Sequence, residues 1–84
     1  MAENYPGVAY SVTVRAEYPN KSGMLGRITS AIGEMQGDIG SIDIVFSSRD
    51  TIVRDLTVNA RDVTHGQEIV GQLQRLPELH VINV

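Results

Sequence analysis

Few side chains in this sequence are equipped for covalent chemistry. It holds two histidines and no cysteine in 84 residues. Nucleophilic catalysis needs a nucleophile, a base and a group that orients the base. His65 falls near the start of a predicted helix and is expected to be solvated; His80 is expected to be an exposed strand residue. Neither sits in a motif that gathers partners, and two histidines without spaced carboxylates make a poor metal site. Asp38 and Asp43 form a candidate carboxylate pair, but they occupy different points of one predicted strand and read as solvated charges. Asp50 and Asp62 read as turn and cap residues. Gly23 and Gly26 lack the spacing of a dinucleotide fingerprint, and Lys21 belongs to no Gly-Lys-Ser/Thr phosphate loop.

The remaining chemistry lies in the stretch PNKSGMLG, where a strand runs into a helix. Backbone N–H groups at a helix start attract anions, including carboxylates. Gly23 leaves that backbone open to close approach, and Asn20 offers both a donor and an acceptor. An amino acid or another small carboxylate would suit such a cradle. The competing reading is that Asn20 and Ser22 only make the turn and the cap, with Gly23 needed for an unusual dihedral. Gly26 and Gly33, each costing roughly 1 kcal/mol against alanine in a helix, are expected to draw helix and sheet together, or, for Gly26, to leave room beside a ligand.

The elements that must position this loop follow from periodicity. Residues 1–9 are expected to be a lead-in punctuated by Pro6-Gly7, and 10–84 one domain. Val12, Val14 and Ala16 alternate with Ser11, Thr13, Arg15 and Glu17, a half-buried strand stopped by Pro19. Ser22 is expected to cap a helix from Gly23 to about Gln36, with a stripe of Leu25, Ile28, Ile32 and Met35 and with Gly37 as the left-handed residue after it. A second strand places Ile42, Ile44 and Phe46 on one face, and a polar turn at 48–50 leads to a third. There Arg54 shares a face with Leu56, Val58 and Ala60, so either the strand bulges near Arg54 or its first half runs beyond the core; the second is favoured. Thr64 and Gln67 match a capping box for a second helix, whose stripe is Ile69, Val70, Leu73 and Leu76. Pro77 ends it, and a short strand follows. The order βαββαβ predicts an α+β, ferredoxin-like fold: a four-stranded antiparallel sheet in the order 4-1-3-2 with both helices on one face. The other face is polar, and the apolar second strand lies at an edge, where it is prone to pair with another chain.

Composition narrows the function. The chain is 42% hydrophobic and 20% charged, as globular domains are. A domain this short buries about 60–65% of its unfolded surface, and small scaffolds without metals or disulfides often gain stability by oligomerising. The net charge of -3, without a basic run, argues against nucleic acid. No apolar run approaches a membrane span and the N-terminus lacks a signal pattern, so a soluble, cytoplasmic protein without a membrane partner is expected. RNA-recognition modules of this architecture stack bases on sheet aromatics, whereas the aromatics here are Tyr5, Tyr10, Tyr18 and Phe46. Metal-chaperone versions need Cys-x-x-Cys, and phosphatase versions need an arginine in the first loop, where Arg27 lies a turn inside the helix instead.

PNKSGMLGRITSAI, GDIGSIDI and RDLTVNARD, in this order and spacing, resemble the ACT domain, a regulatory module. The similarity runs from about Tyr10 to Val84, and the whole string is most similar to the ACT segment that precedes the catalytic part of some bacterial malic enzymes. The resemblance implies a non-catalytic domain, without cofactor, that binds a small effector and passes the event to a fused enzyme through a homodimer or higher homo-oligomer. It implies a site made of Asn20, Lys21, Ser22, Gly23, Met24 and Leu25, completed by Asp38, Ile39 and Gly40 of a partner subunit. Ser22 stands where serine-binding members carry proline. The alternative function is a ligand-free assembly domain.

Overall fold

The computed structural model describes residues 10–84, so the expected lead-in at 1–9 lies outside the described residues. Six elements follow one another: β1 (Tyr10–Pro19), α1 (Met24–Glu34), β2 (Asp38–Ser47), β3 (Thr51–Ala60), α2 (Val63–Gln74) and β4 (His80–Asn83). The strands form one antiparallel sheet in the order β2-β3-β1-β4. This is the expected fold and strand order.

The alternation in β1 decides which side the helices cover. Val14 and Ala16 are fully buried while Ser11, Thr13 and Arg15 stay exposed. Against Val14, Leu56 and Val58 from the sheet pack Met24, Ile28 and Ile32 of α1 and Ile69 and Leu73 of α2. The α1 stripe is thus centred on Met24 and Ile28, with Leu25 and Met35 half-buried at its margins. The open face is tied by a polar ladder. Arg15 donates to both oxygens of Asp55 at 2.8 and 2.9 Å, the Thr13 and Thr57 hydroxyls meet at 3.0 Å, and Ser11 donates to Asn59 Oδ1 at 2.6 Å. Cross-strand pairs of this kind hold register.

Several local expectations are corrected. Ser22 does not cap α1: the residue before the helix is Gly23, left-handed at φ 86°, and no side chain caps the start. At the other end Gln36, not Gly37, takes the left-handed conformation, at φ 66°. Gly37 N–H reaches the Ile32 carbonyl and Gln36 N–H the Gly33 carbonyl, each at 2.9 Å, which is a Schellman motif. Gly37 is needed for another reason: a Cβ there would meet Ile32 Cγ2 and Ile69 Cδ1 at 2.9 Å. Gly26 and Gly33 are not packing devices, since an added Cβ at either meets nothing within 4 Å.

The capping box at Thr64 and Gln67 is also set aside. Asp62 caps α2, accepting from His65 N–H at 2.8 Å, in line with its expected cap role. His65 is buried rather than solvated, whereas His80 is exposed. On β3, Ile52 is buried and β3 pairs with β1 without a break, so the strand does not run beyond the core. Arg54 lies opposite Ala16 and donates from Nε to the Tyr18 hydroxyl at 2.7 Å. The bulges are in β2, at Gly40 and at Val45. The second pairs Phe46 with Val53, one register step from Ile44 with Arg54, so Phe46 and Ile44 point to opposite faces instead of sharing one.

Candidate functional site

The loop from β1 to α1 is fixed from outside. Asn20 N–H donates to the Asp50 carbonyl at 3.0 Å and Asn20 Nδ2 to the Ser48 carbonyl at 2.8 Å, so Asn20 is anchored to the β2–β3 turn. Its donor is spent on positioning. Met24 is buried and pins the first helical turn to the core, while Ser22, Gly23 and Gly26 are exposed.

The helix start is left open as a result. Met24 N–H reaches only the Lys21 carbonyl, at 3.5 Å, and among the described residues no acceptor meets the N–H of Ser22, Gly23, Leu25 or Gly26. The first turn contains no acidic residue that would oppose an incoming anion. An added Cβ at Gly23 or Gly26 would meet open space.

Asp38, Ile39 and Gly40 lie elsewhere on the same chain. Pro19 sits opposite Thr51 and Asp38 opposite Asn59, so the stretch of β3 from 51 to 59 separates them, about 26 Å at ~3.3 Å per residue. The molecule is 42 Å long, and the two segments occupy opposite ends of the sheet. One chain does not bring them together. Asp38 accepts from Asn59 Nδ2 at 3.4 Å, and Gly40 is the bulged residue between Ile39, opposite Val58, and Ser41, opposite Thr57; an added Cβ there would lie 3.3 Å from Asn59 Nδ2. Asp38 and Asp43 do not form a carboxylate pair facing a pocket; Asp43 is exposed opposite Asp55.

Three residues, Glu78, Arg27 and Arg54, were not legible as site residues. Glu78, in the turn between α2 and β4, accepts from Lys21 Nζ at 3.0 Å and from Arg27 Nη2 at 3.4 Å. The Lys21 hydrogen bond, with Arg27 adding to it, holds the Glu78 carboxyl below its usual value. No spacing rule connects residue 78 to residue 21; only the fold does. Arg54 is the third, a half-buried cation on the helix side with Tyr18 as its hydrogen-bond partner.

Along the edge, Ile44, Val45 and Phe46 of β2 are exposed at 58%, 44% and 55%. Among the described residues no cluster of histidines and carboxylates is placed to hold a metal ion, and no helix is long and apolar enough to cross a membrane.

Comparisons with known proteins show the family and the fold. The family model for the ACT domain matches residues 6–84, and the chain belongs to that family. The sequence is 33% identical over 78 residues to an NAD-dependent malic enzyme of Geobacillus stearothermophilus, covering 93% of this chain and 16% of that enzyme. It is 34% identical over 74 residues to NAD-dependent malic enzyme 1 of Bacillus subtilis, covering 84% of this chain and 17% of that one. The chain therefore spans about a sixth of the length of the curated relatives it matches. In fold it is similar to the solution structure of the ACT domain from GTP pyrophosphokinase of Chlorobium tepidum, with a TM-score of 0.64, 14% identity and coverage of 89% and 88% of the two chains.

Proposed function

We propose that the chain is a ligand-sensing regulatory module of a malic enzyme, non-catalytic itself, that binds an amino acid or small carboxylate at the β1–α1 loop and acts through a homodimer. The observation that carries this reading is the open helix start. The N–H groups of Ser22, Gly23, Leu25 and Gly26 have no acceptor and no capping side chain, where natural helices usually place a serine, threonine or aspartate. Those donors can be satisfied by the carboxylate of a ligand. Lys21 and Met24 flank the cradle and Asn20 holds its shape.

The exposed apolar edge of β2 supplies the assembly. Antiparallel pairing of two such edges would cover Ile44 and its neighbours and carry Asp38, Ile39 and Gly40 of one copy toward the loop of the other. An effector that binds the ordered pair more tightly than the loose one then shifts its population and the state of an attached enzyme. The same edge favours a second reading, a ligand-free assembly domain.

Isothermal titration against the amino acids and small dicarboxylates, with thermal unfolding in parallel, separates the two. At 100-fold over its Kd an effector adds about 2.7 kcal/mol, on the order of 10 °C for a domain of this size. Neither heat nor a thermal shift with any of them leaves only the assembly reading.

A further inference from the structure

Glu78 adopts a left-handed backbone, φ 71°, which costs energy for any residue but glycine. From that turn its carboxylate reaches residues far away in sequence. Oε2 accepts from Lys21 Nζ at 3.0 Å and Oε1 from Arg27 Nη2 at 3.4 Å. Each oxygen thus faces its own cation, as the two oxygens of a bound carboxylic acid would. Arg27 Nη2 also donates to the buried Met24 Sδ at 3.0 Å, which steadies the guanidinium beside the loop.

We propose that Lys21 and Arg27 form a carboxylate-binding site whose resident occupant is Glu78, so that a small carboxylate ligand binds by displacing Glu78 and releases the turn leading into β4. This rests on the reading of the β1–α1 loop as an effector site and adds Arg27 and Glu78 to it. The pairing chemistry is already shown by Glu78 itself. Displacement is within reach because the three side chains keep 53%, 49% and 42% of their exposure, and ion pairs at such exposure are weak and screened by salt. The released turn has a short path to the rest of the fold. Leu79, buried at 8%, follows Glu78 directly, and β4 pairs with β1 only at Arg15, Ala16 and Glu17. A ligand that takes the two cations therefore acts on the most lightly held strand of the sheet.

The test is isothermal titration of succinate into the wild-type chain and Glu78→Gln at low salt. The Gln variant keeps the shape and gives up the competing charge, so it is expected to bind about fivefold tighter or more; adding Arg27→Gln to it should abolish the gain. Equal affinity of wild type and Glu78→Gln overturns the displacement while leaving the loop as an effector site. Binding by Glu78→Gln alone supports the cation site and counts against effector sensing by the natural chain. Binding by neither overturns both. Should Glu78→Gln fail to fold, amide resonances of wild-type residues 78–81 are followed during the succinate titration: they shift under the proposal, and resonances that stay in place overturn it.

Discussion

The imidazole of His65 donates from Nε2 to the carbonyl of Met35 at 2.6 Å, joining the first turn of α2 to the residue that caps the C-terminal end of α1. Its Nδ1 accepts from Arg61 N–H at 3.0 Å, which places the proton on Nε2. Only 3% of the residue is exposed. His65→Phe keeps the ring and deletes both bonds, leaving the Met35 carbonyl and the Arg61 N–H unpaired. A loss of about 2–3 kcal/mol is expected, read as a lower urea midpoint with an unchanged slope. A midpoint within error of wild type would show that the link between the helices contributes nothing.

The two residues that close α1 should respond in opposite senses. Gln36 is left-handed, so Gln36→Gly should stabilise by about 0.5–1 kcal/mol. Gly37→Ala inserts a methyl among Ile32, Ile69 and Val58 and should cost about 1–3 kcal/mol. Thermal unfolding of both variants decides it; the same sign for both would refute the assignment.

Acid should weaken the fold through two carboxylates. Hydrogen bonding from Arg15 holds Asp55 below its ordinary 3.8, and Lys21 with Arg27 holds Glu78 below 4.5. A lowered folded-state value means that the stabilisation is complete above the ordinary value and is lost as pH falls through it toward the folded value. Urea unfolding between pH 6 and 3 should show a smaller loss for Asp55→Asn and Glu78→Gln than for wild type. Since both pairs are exposed, 0.5 M salt should narrow that difference.

Self-association should depend on the β2 edge. Ile44→Lys with Phe46→Lys places charge on both faces of that strand, a common way to keep an edge unpaired. Sedimentation equilibrium should show a wild-type dimer and a monomeric variant whose unfolding shifts by less than about 0.5 kcal/mol per exposed site. A variant that remains dimeric would place the interface elsewhere.

Strand order and the single covered face were legible because alternation in β1 and the helical stripes are local patterns with one consistent solution. What escaped reading depends on contacts between distant segments. Asp62 and Thr64 both look like caps, and the choice falls to Asp62 because His65 must enter the core to meet Met35. The bulges at Gly40 and Val45 leave no mark in the hydrophobic pattern, so simple alternation puts Phe46 on the face of Ile44 while the register turns it to the other. Arg54 fits the covered face because Ala16 opposite is small and Tyr18 offers a hydroxyl. The loop itself was visible from its composition, yet its uncapped state was not, since Ser22 has the right chemistry and the left-handed Gly23 takes the position.

The roughly 26 Å between residues 20–25 and 38–40 of one chain has a consequence for how the proposed sensor would behave in a cell. Under the proposed reading, two half-sites at opposite ends of each copy would give a closed pair two complete cradles and a lone copy none. Protein abundance would then set responsiveness as firmly as metabolite level does, and dilution alone would silence the signal.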